Sequence, residues 1–171
     1  MMLKVYDMNG GRLFNQIKKY VLENKVESAI DLCSGSRSIL PKVLRAGLKR
    51  ANLSKEKIED ALTTKISEQT PKISYKLSYI QLMANLSTLL GLLGTIQGLI
   101  VSFAGVANAE PGMKAKILSD GIANAMYTTA FGLISGITIM IVHTILVNKA
   151  VSINDKIDEY SNKLLDLLSS K

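Results

Sequence analysis

Residues 89–103, LLGLLGTIQGLIVSF, and residues 121–137, GIANAMYTTAFGLISGI, decide how this chain folds. Each sits inside a longer run that holds no Asp, Glu, Lys or Arg: 77–109 for the first and 121–148 for the second. About 20 helical residues cross the ~30 Å hydrocarbon core of a bilayer, so either run is long enough to span it. Simple membrane anchors are built mostly of Leu, Ile, Val and Phe. These two runs also carry Gly, Ala, Ser, Thr, Asn and Gln, residue types that serve where helices pack closely on helices or line a polar path. The expected fold is all-α, with two long transmembrane helices extending into a cytoplasmic helical bundle, as a subunit of a membrane assembly.

The flanks set the orientation. The chain has 171 residues and a net charge of +7, and residues 1–76 alone hold 15 Lys/Arg against 8 Asp/Glu. The stretch between the runs balances Lys114 and Lys116 against Glu110 and Asp120, and the tail from Lys149 holds four of each sign. Basic residues concentrated before the first span mark a cytoplasmic flank, and two spans return the tail to the same side. The expected organisation is a cytoplasmic helical region over 1–76 and a helix pair over 77–148. A short periplasmic loop is expected near 107–120, and an amphipathic cytoplasmic tail over 149–171. The spans themselves are placed near 80–106 and 121–147. Met1–Gly11 lacks the 7–15-residue apolar core of a cleavable signal. Nucleic-acid binding, the rival reading of a basic chain, lacks support: there is no aromatic cluster, and four of 21 basic residues are Arg. The single Cys33 excludes an intrachain disulfide framework and reads as a small buried residue.

Helical spacing runs through the rest. Phe14, Ile17, Val21, Val26, Ala29, Ile30 and Cys33 recur with a break expected near Asn24. Ser38 and Ser54 stand where helices are capped, Pro41 is tolerated in a first turn, and Asn52 reads as a helix end. Ile58, Leu62, Ile66, Ile73, Leu77 and Ile80 continue into the first uncharged run, which predicts one long helix with a bend at Pro71. As helix, that run would be about 50 Å long, more than the bilayer core, so part of it lies outside or is tilted. Ile153, Ile157, Tyr160, Leu164 and Leu168 prolong the second helix as an amphipathic segment. Its mixed charges favour packing on protein helices over lying on a lipid surface.

Small residues form a stripe on each span. Gly91, Gly94, Thr95, Gly98, Ser102 and Gly105 share one face of the first, and Gly121, Ala125, Thr129, Gly132 and Gly136 share one face of the second. Gly94-x-x-x-Gly98 and Gly132-x-x-x-Gly136 allow close backbone approach, and these faces are expected to join subunits. Membrane threonines commonly bond their own i−4 carbonyl. Thr95 and Thr129 differ from Thr88, Thr128 and Thr138 in lying within the stripes. Gln97 and Asn124 are the most polar side chains of the spans, suited either to interhelical hydrogen bonds or to a transport role, and Asn124 joins Thr95 and Thr129 as a candidate for the proton pathway or a partner-facing position. His143, the single histidine, lies near a span end, where an interfacial or packed position is expected. No carboxylate falls in either span. No metal-ligand cluster, phosphate loop or nucleophile–base pair appears, so neither an enzyme nor a cofactor is expected.

With these residues in view, LLGLLGTIQGLIVSF and GIANAMYTTAFGLISGI resemble the signature of the MotA/TolQ/ExbB proton channel family, closest to the TolQ/ExbB branch. The segment ESAIDLCSGSRSILPKVLRAGLKR is similar to that family's cytoplasmic helical region. The resemblance implies a homo-oligomer, a pentamer, in the bacterial inner membrane, around single-span partners of the ExbD/TolR type. Those partners supply a membrane aspartate, and proton flow powers transport or envelope work. It implies that Thr95 and Thr129 are the pore-facing threonines. The family's first membrane helix has no counterpart before residue 77, so the chain is expected to be a fragment, a sequence with a mis-set start or a shortened relative. The branch's Glu is replaced by Asn124, and Thr88 and Thr138 stand where Pro is common. Two other readings remain open: a non-conducting scaffold of the same fold, and a motor stator of the MotA branch.

Overall fold

The computed structural model describes residues 10–36 and 38–170, and these are helical with no strand among them. The expectation for Met1–Gly11 thus falls almost wholly outside the described residues. The helices are α1 (Gly10–Leu22), α2 (Val26–Ser34), α3 (Ile39–Leu48), α4 (Lys55–Ser74), α5 (Leu77–Ala107) and α6 (Lys114–Ser169). They form two compact units: one holds α1–α4 and the part of α6 from Val147, the other holds α5 and the part of α6 up to Leu146.

In the first unit, apolar residues at helical spacing turn inward. Ile17, Val21, Ala29, Cys33, Val43, Leu44, Ile58, Leu62, Ile153, Ile157 and Leu164 are all buried. Gly47 lets α3 sit close to its neighbours: a β-carbon there would come 2.8 Å from Leu62 Cδ2 and 3.3 Å from Leu164 Cδ2. Phe14 and Tyr160 pack with ring centroids 5.5 Å apart. The tail of α6 therefore buries its apolar face on protein helices.

The break near Asn24 is a helix C-terminus. Asn24 adopts φ 61°, a left-handed conformation that Asn tolerates better than most residues. Lys25 N–H then bonds Tyr20 O at 2.8 Å and Asn24 N–H bonds Val21 O at 3.1 Å, satisfying the last carbonyls of α1. Ser38 and Ser54 do precede α3 and α4, without a capping hydrogen bond from either hydroxyl. Helix α3 ends at Leu48, short of Asn52, because Arg50 and Ala51 bond three residues back rather than four and tighten the chain into turns.

Pro71 lies inside α4, and the regular pattern persists past it: Tyr75 N–H bonds Pro71 O at 2.9 Å. The interruption comes instead at Tyr75 and Lys76. Both keep right-handed helical dihedrals, so it is a local change of hydrogen bonding rather than a loop.

In the second unit, α5 and α6 run antiparallel, joined by residues 108–113. Helix α6 begins at Lys114, earlier than the sequence boundary, so the non-helical connection is shorter than 107–120. Only 11% of the most apolar window of each helix is buried. Leu90, Ile100, Val101, Phe103, Phe131, Ile134 and Ile145 all stand exposed. A core helix of a soluble protein would bury such residues, and so broad an apolar surface fits lipid or other membrane helices.

Candidate functional site

The two small-residue stripes face each other within one chain. A β-carbon on Gly132 would lie 2.6 Å from Gly91 Cα, one on Gly98 would lie 2.7 Å from Ala125 Cβ, and one on Gly94 would lie 2.5 Å from Thr128 Oγ1. One on Gly121 would collide with Ser102 Oγ, and one on Gly136 would lie 2.6 Å from Thr88 Oγ1. The close approach along this seam is possible because glycine presents no side chain at the points of contact. The seam thus closes α5 on α6, and the stripes assigned to subunit contacts are used inside the chain.

Hydroxyls along the seam bond backbone carbonyls. Ser102 Oγ, almost fully buried, donates to Gly98 O at 2.7 Å. Thr128 Oγ1 donates to Ala125 O at 2.7 Å, and Thr138 Oγ1 to Ile134 O at 2.8 Å. Thr129 is different. Its Oγ1 donates across the seam to Gly91 O at 2.9 Å, with Ala125 O of its own helix at 3.5 Å. In α5, Thr95 follows Gly91 by about one helical turn. Thr95 Oγ1 donates to Leu92 O at 2.6 Å and its side chain is half-buried. The two threonines singled out from the sequence therefore bond carbonyls of adjacent residues of α5, Gly91 and Leu92.

Asn124 is exposed beside Ala125, and Gln97 is exposed beside Gly98. Neither lies in the seam. His143 is half-buried. Among the described residues no group of three His, Cys, Asp or Glu is placed to hold a metal ion.

Sequence reasoning missed an open notch of about 450 Å³ next to the glycine crossing, lined by Ser87, Leu90, Gly91, Tyr127, Phe131 and Ser135 among others. The signal was present in retrospect: Gly91 and Gly132 withdraw side chains beside the large, exposed rings of Tyr127 and Phe131.

Residues 35–159, well over half of the chain, match the MotA/TolQ/ExbB proton channel family. The chain is also similar to the biopolymer transport protein exbB1 of Vibrio cholerae serotype O1, 38% identical over 76 residues. That stretch is 44% of this chain and 33% of the relative, so the match spans about a third of the relative's length.

Proposed function

Because this chain belongs to the MotA/TolQ/ExbB proton channel family, we propose that it is an energy-transducing subunit of a proton-channel complex in the bacterial inner membrane. Copies of the chain form a ring, a pentamer, around a single-span partner of the ExbD/TolR type. The partner's membrane aspartate carries the proton, and its passage drives transport or envelope work. Both termini lie in the cytoplasm, as the basic excess of residues 1–76 favours.

One observation carries the reading: the hydroxyls of Thr129 and Thr95 bond adjacent carbonyls of α5, Gly91 O and Leu92 O. Neither span contains a carboxylate, so the proton-bearing acid comes from elsewhere. A threonine hydroxyl donates one hydrogen and accepts through its lone pairs. While Thr129 donates to Gly91 O, its oxygen can still accept from a protonated carboxyl group. Rotation of the hydroxyl away from Gly91 O turns the hydrogen toward an ionised carboxylate. The residue can thus serve both protonation states of a partner acid without being ionised itself.

The neutral amide of Asn124 favours a second reading, a scaffold that keeps the fold without conducting. Proton flux into proteoliposomes decides between them. The chain with a single-span partner should acidify the lumen when a potential is imposed, and the chain alone should not. Absence of flux in the pair, with the complex intact, would establish the scaffold reading.

A further inference from the structure

We propose that the cleft between α3 and α4 is a binding site for a phosphate ester that carries no aromatic base. The cleft has a volume of about 410 Å³ and is lined by Lys42, Arg45, Ala46, Lys49, Lys65 and Gln69. Four of these six are cations and none is an acid. Lys42, Arg45 and Lys49 fall on one face of α3 at spacings of three and four residues, where like charges repel and weaken the helix. Lys65 arrives from α4 and is partly balanced by Glu68, bonded at 2.5 Å on the exposed side. No carboxylate pairs with Lys42, Arg45 or Lys49 among the described residues.

One polar group at the cleft is unmatched. Arg45 Nε is shielded from solvent and meets no hydrogen-bond acceptor. Gln69, only 7% exposed, lines the cleft beside it. Buried donors are ordinarily satisfied, so an orphaned guanidinium N–H beside a buried amide marks a place for an acceptor. A phosphate supplies several acceptor oxygens in a geometry that guanidinium and ammonium groups match. The absence of any aromatic residue in the lining removes the platform on which a nucleobase would stack. The volume exceeds that of inorganic phosphate alone and suits a small organic phosphate such as phosphoglycerol. That chemistry is shared by a free metabolite and by the headgroup of an acidic phospholipid.

The test uses the full chain with two arms. In neutral detergent it is titrated calorimetrically with glycerol 3-phosphate, with glycerol as the uncharged comparison. In nanodiscs it is compared by native mass spectrometry for retention of phosphatidylglycerol over phosphatidylcholine. Lys42→Gln with Lys49→Gln changes two exposed side chains and leaves the core untouched. Gln69→Leu removes the buried amide while adding apolar contact. Both variants should weaken binding by ~10-fold or more. Lys18→Gln with Lys57→Gln removes equal charge elsewhere and should change it by less than ~2-fold. Binding in the first arm alone identifies a soluble ligand, in the second alone a lipid headgroup, and either supports the site. No saturable binding in both arms, or an equal loss in the control pair, would overturn it.

Discussion

Gly91 and Gly132 meet backbone to backbone: a β-carbon on the first would lie 3.0 Å from the α-carbon of the second, and one on the second 2.6 Å from that of the first. Neither position can take a side chain without moving a helix. Gly98 opposes Ala125 under the same constraint.

Gly132→Leu or Gly98→Leu should therefore separate α5 from α6 within a single chain. Overpacking a close contact costs about 1–3 kcal/mol, which at this chain length lowers the unfolding midpoint by several degrees. Thermal unfolding in detergent checks it, read on the monomeric fraction. An effect confined to oligomers would show that these faces join subunits instead. Gly112→Ala, with open space around it, is the neutral comparison.

Cys33 should be almost inert in the folded chain. It is 1% exposed, and burial pushes its thiol up to about 11 from an ordinary value of 9.0, against the opposing charge of Arg45. At pH 8 the smaller thiolate fraction alone slows maleimide labelling by about 100-fold relative to an unperturbed thiol. Because the folded value is raised, the contribution of the neutral thiol to stability is complete below pH 9 and is lost as the pH rises toward 11. Labelling as fast as in denaturant would show that the site opens.

That inertness makes a topology test clean. Gly112 is exposed in the turn between α5 and α6. Gly112→Cys in a Cys33→Ala background should react with a membrane-impermeant maleimide added from the periplasmic side. Reaction only from the cytoplasmic side would invert the proposed orientation.

Leu164 tests the role of the α6 tail. It is fully buried against Gly47 of α3. Leu164→Ala should cost about 2–5 kcal/mol through lost contacts and a cavity. Leu22→Ala, at a side chain 62% exposed, should cost less than about 0.5 kcal/mol. Comparable midpoints for the two variants would mean that the tail does not rely on this packing.

Much of this architecture was legible in the sequence, for reasons that can be stated residue by residue. The charge-free runs and the spacing of Ile153, Ile157, Leu164 and Leu168 reveal apolar faces because burial imposes the helical period. The helix break near Asn24 was visible because the periodicity lapses there, though its left-handed conformation was not. What periodicity does not carry is the identity of the partner face. The stripes of Gly91, Gly98, Gly121 and Gly132 read as seams between subunits, whereas they close one helix on another in the same chain. Helix ends were missed where local hydrogen bonding decides them, at Leu48 and at Tyr75. The bond from Thr129 to Gly91 O, beside the Leu92 carbonyl that Thr95 bonds, required the antiparallel register, which no single stripe encodes.

The threonine pair offers the sharpest test of the proposed mechanism. Thr129→Val keeps the side chain's shape but removes its bond to Gly91 O, and Thr95→Val removes the bond to Leu92 O. Each lost bond is intramolecular and worth about 0.5–1.5 kcal/mol, too little to unfold the seam that the glycines hold. Partner-dependent proton flux in proteoliposomes should fall by 10-fold or more in the double Val variant, on the order of one lost charge-assisted hydrogen bond to the partner's carboxyl group. Thr95→Ser with Thr129→Ser retains both hydroxyls and should restore most of the flux. Asn124→Ala, at an exposed amide outside the seam, should leave flux near its starting value. Full flux in the double Val variant, with the complex intact, would remove the threonines from the proton path. Loss of flux in the Ser variant as well would point to packing at the Gly91 crossing rather than to the hydroxyls.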